Sequence, residues 1–446
     1  MGLYINDDHR VGHLHMQSAA EERAAVPGYH LQLDASVETE LFGIVAGMKL
    51  SGEAWTATSG ETAEFEFSIL ASDTKMGLHG TIAENRLSGT LDTGGQSIPL
   101  DFPVDTAMVL GSGMGLPAAA MPELEPGEST TMAAFDPIAM TPSKAKVTCT
   151  GRETLRISNV PVETRVYETV LGGMTSNAWV DDSGEVVQAS TPFGFTLRKI
   201  SPAELDIPVV ANESSDLIRD LAIVPTGKPM HNDASRLVVR VSGLDPALFP
   251  NDPPWQIREN DVVTIIQSSY PDSTEAGDRD NDFDPAPFLG DDAFVATNHP
   301  MIQEQAVEII GDETDPRNQA LLLHHWLYTH IDKVPVLSVP SALDVLRTKS
   351  GDCNEHTVLY TALARSIGIP TRIAIGLVYS DTLEGLGYHA WPEVHIGTQW
   401  YPLDPTLGQH DVDATHIKLF NGSIASWVQL AGYIGQIQLD VIACDE

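Results

Sequence analysis

Three residue types that together can run thiol chemistry stand in the order Cys353, His389, Asp404. They lie within the runs Gly351-Asp-Cys-Asn-Glu-His-Thr-Val358, Tyr388-His-Ala-Trp391 and Tyr401-Pro-Leu-Asp-Pro-Thr406. For a thiol to attack an amide carbonyl it needs a route to thiolate near neutral pH, a base that holds and later returns the proton, and a group that orients the base. The elements that must position these groups are also readable. Val358, Leu359, Ala362, Leu363 and Ile367 recur at helical spacing after Cys353, and Gly368-Ile-Pro370 supplies the stop. Cys353 therefore falls in the first helical turn, with Asp352 as a cap. The unpaired N–H groups there favour an anion, so the thiol is expected to titrate below its ordinary value of about 8.5.

Beyond the helix, Arg372 to Tyr379 reads as a buried strand, followed by strand-like runs over Tyr388 to Ile396 and Gln399 to Asp404. Gly397-Thr398 forms a two-residue hairpin loop whose glycine suits positive φ at the first position. In that register Ile396 faces Gln399 and Asp404 falls opposite Trp391. His389 is then a diagonal neighbour of Asp404, roughly 7 to 8 Å away between backbones and within side-chain reach. A bulge at Pro392 would shift this register.

Other residues near the thiol have plainer readings. Glu355 is a first-turn charge complementing the helix dipole, and Trp391 packs against the site. His324 and His325, on an amphipathic helix from Asn318 to Ile331, divide between core and surface. His356, one turn beyond Cys353, is an alternative base, or a metal ligand with Cys353 and His389. No CxxC or HxxxH spacing supports that ligand set, so no metal and no cofactor are expected. The backbone N–H of Cys353 is a candidate oxyanion donor.

The segments Gly-Asp-Cys-x-Glu-His, Leu359 to Arg372, Tyr-His-Ala-Trp-Pro-Glu-Val and Leu-Asp-Pro-Thr resemble the transglutaminase-like superfamily, which shares a papain-like core with cysteine peptidases. Several separated blocks agree in order and spacing over about the last third of the chain. The resemblance implies an α+β catalytic core with Cys353 as nucleophile, His389 as base and Asp404 as orienting acid. It also implies acyl transfer on amide bonds of proteins or peptides through a Cys thioester, with hydrolysis favoured. The alternatives are a protein cross-linking transglutaminase, or a non-catalytic binding or scaffold protein working through its β-rich region.

The chain has 446 residues, of which 42% are hydrophobic and 20% charged, and its length implies two or three domains. With 62 acidic against 25 basic residues, its formal charge is −37. That field repels nucleic acid and anionic membrane surfaces, so neither is expected as a partner, and it favours a basic protein or peptide substrate. No run approaches the length of a membrane helix, and the first residues lack a signal peptide's basic start and apolar run. Relatives of this kind are commonly exported, so a periplasmic or extracellular protein is expected, with its signal absent from this chain. Three cysteines leave at most one disulfide, Cys149 to Cys444, if Cys353 is a working thiol. Both otherwise read as small buried hydrophobes.

Along the chain, residues 1–200 read as an antiparallel β-rich domain, a curved sheet or open barrel. Alternation is visible at Tyr29 to Ala35 and Phe65 to Ile69, turns at Ala83 to Arg86 and Asp92 to Gly95, and a hairpin within Ala178 to Val187. Gly111 to Gly127 marks a loop or crossover. Residues 201–270 form a small β section and 271–292 an acidic linker. Its run Asp278 to Asp284 lacks the glycine and terminal glutamate of an EF-hand and reads as a solvated linker. Residues 293–446 form the catalytic domain, with helices over His299 to Ile310 and Asn318 to Ile331 and a capping box at Ser341 to Asp344. The role of residues 1–200 is presenting substrate, holding an apolar ligand or docking a partner.

Overall fold

The computed structural model describes all residues except 6–8, 42–43, 60, 72–73, 105–108, 111–120, 137–140, 158–159, 172–173, 192–194, 206–216, 245–248, 272–282, 293, 337–340 and 423–432. The chain divides into two compact units, Met1–Asp216 with Trp427–Ile434, and Leu217–Ser426 with Gly435–Glu446.

Among the described residues the first unit is built on one fifteen-stranded sheet. Its opening strand, Gly2–Ile5, pairs with His9–Arg23 on one side and Phe195–Arg198 on the other, and further strands are added outward in hairpins. Turn chemistry sets these hairpins. Glu84 and Asn85 (φ 51° and 62°), and Gly94 and Gly95 (φ 59° and 74°), occupy the left-handed conformations that two-residue hairpin loops demand. Alternation sorts the faces, with Phe65 and Ile69 buried while Glu64 and Glu66 are exposed. The sheet is open in its strand order, and the one parallel pairing in it joins Val109–Leu110 to Ser129–Asp136. Residues 111–120 of the expected crossover lie outside the described residues. Cys149 is free and buried in this unit, among Ala134, Val147 and Tyr167.

The second unit includes two main sheets. One of them joins strands from within residues 226–266 to the C-terminal strand Gln438–Asp445. Arg236–Ser242 lies between Val262–Ile266 and Gln438–Asp445, and Thr226–Gly227 pairs parallel on the far side of the latter. Cys444, on that last strand, is also free. The acidic run at 278–284 falls mostly outside the described residues.

The other sheet has the order Gln399–Pro402, Gly385–Ile396, Thr371–Ser380, Ile417–Gly422, all antiparallel. Four helices accompany it: Pro300–Ile310, Pro316–His330, Ala342–Thr348 and Cys353–Ser366. The first two begin with Pro just after an N-cap side chain, His299 or Asp315, that accepts a backbone N–H. Ser341 is the N-cap of the third, but its side chain makes no cap bond, so the expected box does not form there. Ile302, Leu323, Leu327, Leu343, Leu359 and Leu363 are fully buried together with Val394 and Leu403 from the sheet side. This core fastens the Cys353–Ser366 helix over the Gly385–Ile396 strand.

Candidate active site

Cys353 is the first residue of its helix, and the turn before it is built for that purpose. Asp352 is the N-cap: its Oδ1 accepts the Asn354 N–H at 2.9 Å, and Glu355 Oε2 reaches back to the Asp352 N–H at 2.9 Å. The two form a reciprocal capping box. Glu355, expected as a first-turn charge complementing the helix dipole, lies in the first turn, is 5% exposed and belongs to this box. A Cβ on Gly351 would sit 2.2 Å from Glu355 Cβ, so only glycine lets the box fold against the entering chain. Thr357 Oγ1 then donates to the Ala390 carbonyl at 3.0 Å, pinning the helix to the strand that carries His389. On the other side of the same residue, the Ala390 N–H points at the Cys353 sulfur.

The strand register is the expected one. Ile396 pairs with Gln399 across a loop whose Gly397 has φ 66°, and the pairing with Thr371–Ser380 runs through Pro392 without a bulge. Asp404 itself leaves the strand and enters a tight turn, its N–H donating to the Gln409 carbonyl at 2.8 Å. That turn aims the side chain. His389 Nε2 bonds Asp404 Oδ2 at 2.7 Å, with His389 5% and Asp404 0% exposed. His389 therefore keeps Nδ1 for any other proton exchange.

Asp404 is the hub of this cluster. Oδ1 accepts the Thr406 and Leu407 N–H groups at 2.8 and 2.9 Å, and Oδ2 accepts from His389 and from His416 Nε2 at 3.1 Å. Burial pushes its carboxyl up, but the charge and hydrogen bond of His389, and then those of His416, outweigh burial and hold it well below the usual carboxylate range. Its backbone carbonyl is bonded by His324 Nε2 at 3.0 Å. His324 is buried and its ring is pushed down by that burial, so it donates as a neutral imidazole.

His416 was not singled out from sequence. Its Nδ1 lies 3.3 Å from Asp413 Oδ1 while Nε2 faces Asp404. Burial alone would lower it; hydrogen bonds to Asp404 and Asp413 instead raise it to about 9. Burial likewise pushes Asp413 up, yet the hydrogen bond and charge of His416 hold it far below the ordinary carboxylate range. The signal available in sequence was the Asp413-x-x-His416 spacing, which nothing local distinguishes from a turn. Trp391 packs here as expected, its ring 6.0 Å from that of His389 and edge-on to His416 at 5.2 Å.

Two expectations need correction. The Cys353 thiol is not lowered: burial first, then the Asp352 carboxyl, and behind them Glu355 and Asp404, push it well above its ordinary value against the pull of the Ala390 N–H. His356 as alternative base is disfavoured, because its Nδ1 is bonded to the Asp352 carbonyl at 2.7 Å and burial pushes the ring down. Nor does it join Cys353 in a ligand set. The potential ligand atoms that come together among the described residues belong to His389, Asp404 and His416, within 4.8 Å of one another. These atoms already bond each other, and a doubly donating His416 has no lone pair to offer a metal.

A thiol at a capped helix start, facing a strand whose histidine is tied to a buried aspartate, defines the class: a domain arranged for thiol chemistry. Residues 303–405 match the family model of the transglutaminase-like superfamily, so the chain carries a transglutaminase-like domain at the place where this geometry is found. Among curated relatives, an uncharacterised Haemophilus influenzae protein is 23% identical over 210 residues, covering 39% of this chain and 57% of the relative. An uncharacterised Mycobacterium leprae protein is 30% identical over 115 residues, covering 24% and 39%. The chain thus spans less than two thirds of the length of each. Among solved structures, a candidate cysteine protease from Cytophaga hutchinsonii is similar with a TM-score of 0.32 and 16% identity, covering 46% of this chain and 83% of that one. A candidate protease from Parabacteroides distasonis has a TM-score of 0.21 and 9% identity, covering 82% and 65%. The assignment rests on the family match. Among the described residues, no helix is long and apolar enough to cross a membrane.

Proposed function

We propose that the second unit is a thiol-dependent acyl-transfer enzyme that hydrolyses amide bonds of proteins or peptides through a Cys353 thioester. The observation that carries this reading is the 2.7 Å bond from His389 Nε2 to the buried Asp404, beside a thiol that lies against the next residue of the same strand.

Because burial and the flanking carboxyl groups keep the sulfur protonated, the reaction is base-assisted and does not start from a standing thiolate. His389 Nδ1 takes the Sγ proton as sulfur bonds to the carbonyl carbon. The tetrahedral adduct collapses as the imidazolium gives that proton to the leaving amine, which leaves the thioester. A water then attacks the thioester carbon, its proton passing through His389 to sulfur, and the acid is released. Asp404, fixed by two backbone N–H groups, holds the ring through Nε2 and balances its charge while it is protonated.

Incubating the chain with casein and a fluorescent primary amine tests this reading. Peptide release that disappears in Cys353→Ala is the expected result. Amine incorporation would redirect the acyl group to cross-linking, and neither product, with intact folding, would leave the domain a binding module.

A further inference from the structure

We propose that His416 is a positioning residue of this site: bridging Asp404 and Asp413 through both ring nitrogens, it places a fixed positive charge that locks the Asp404 carboxylate toward His389. The proposal rests on the reading of Cys353, His389 and Asp404 given above.

The geometry requires the charge. Nε2 is 3.1 Å from Asp404 Oδ2 and Nδ1 is 3.3 Å from Asp413 Oδ1, and ionised carboxylates only accept, whereas a neutral imidazole donates from one nitrogen. Both partners are themselves immobilised. Asp413 Oδ1 accepts the Thr415 N–H at 2.8 Å and its Oγ1 at 2.6 Å, and Asp413 Oδ2 accepts Gln409 Nε2 at 2.7 Å. The Gln409 backbone is in turn bonded to Asp404 in both directions, so Asp404, Gln409, Asp413 and His416 form a closed ring of hydrogen bonds. Trp391 packs edge-on against the His416 ring at 5.2 Å.

The charged and titratable groups facing His416 are Asp404, Asp413 and, ring to ring at 5.7 Å, His389. A small cavity beside it also touches Lys418, Glu393 and Asp252. Lys418 Nζ bonds both of those acids, so its charge is spent on them and does not replace that of His416. The functional consequence lies in sharing. Asp404 divided between two imidazoles grips a protonated His389 less firmly than an unshared carboxylate would, which suits a base that must return its proton to a leaving amine.

The test is the pH profile of iodoacetamide alkylation at Cys353, resolved by peptide mass spectrometry on the full chain, with folding followed by circular dichroism. His416→Gln keeps a hydrogen-bonding side chain but removes the charge. Loss of a cation beside both Asp404 and His389 moves the profile to higher pH by roughly one unit or more. Asp413→Asn, which leaves His416 bonded to Asp404 but takes away a nearby anion, shifts it the opposite way, to lower pH, and decides the matter if the first variant does not fold. A profile that keeps its position while losing amplitude would reduce His416 to packing and overturn the proposal. If His389→Ala also leaves the wild-type profile unchanged, the proposed function is what fails. If His389→Ala changes it and His416→Gln does not, only this inference fails.

Discussion

Raising the pH from neutrality past 9 should remove a specific increment of stability from the second unit, namely the proton held by His416 between Asp404 and Asp413. In the unfolded chain this histidine titrates near its ordinary value of 6.5, and in the folded protein near 9. Between those values the native state binds a proton that the unfolded state has released, so stability falls as pH rises. The contribution is fully present below 6.5 and lost through about 9. A displacement of that size corresponds to about 3 kcal/mol, a substantial fraction of a domain's total stability. Cys353 and Asp352, both pushed up, also lose stability as pH rises, so the increment is read as the difference between the wild type and His416→Gln. His324 and His356 are pushed down, so their contribution is lost as pH falls, on the acid side of 6.5. Asp404 and Asp413, held below the usual carboxylate range, act only in acid. Urea unfolding at a series of pH values, with hydrogen exchange read on peptides covering residues 413–420, measures the increment directly. The wild type should approach His416→Gln in stability as the pH passes 9. A difference between the two proteins that stays constant from pH 6.5 upward would refute the argument that His416 is charged at neutral pH.

Three more substitutions probe the neighbours. Glu355→Gln keeps the capping box, since a glutamine oxygen also accepts the Asp352 N–H, but removes an anion that opposes the thiolate. Cys353 alkylation should begin at lower pH, by up to about one unit, and an unchanged or upward shift counts against the cause assigned to the raised thiol. Asp404→Asn must present a donor either to the two histidines or to the Thr406 and Leu407 N–H groups. It should cost about 3 to 5 kcal/mol in unfolding experiments and abolish turnover. Wild-type stability would contradict the hub role of Asp404. Cys353→Ala should abolish turnover while changing the melting temperature by little, because it removes a single sulfur atom and leaves the capping box of Asp352 and Glu355 intact. A large loss of stability would recast Cys353 as structural.

Much of the site was legible because its determinants are local. The helix start is written in Asp352 and Glu355, its end in Gly368 and Pro370, and the hairpin at Gly397 fixes which residues face each other from 396 to 402. That register brings the strand of His389 beside the chain leading to Asp404, and the turn to Gln409 then aims the carboxylate. The long first sheet was legible for the same reason, since alternation and turn residues repeat through it. What escaped has long-range causes. Asp413 and His416 acquire meaning only once the turn after Asp404 brings them back to it, and His324 only once its helix packs under the Asp404 carbonyl. The C-terminal strand pairs with one near residue 240, a contact that no local pattern announces.

The thiol shows how a correct local reading can still give the wrong sign. Cys353 does occupy a helix entrance, where unpaired N–H groups favour an anion. Yet the residues that make the entrance are themselves acids. The Asp352 carboxyl that caps the helix and the Glu355 carboxyl that closes the box both face the sulfur's own neighbourhood, and the core that fixes the helix strips it of water. The dipole's benefit is worth at most about 2 kcal/mol in partly buried sites, and two nearby carboxyl groups with desolvation can exceed it. The cap that positions Cys353 therefore also opposes the ionisation of its thiol.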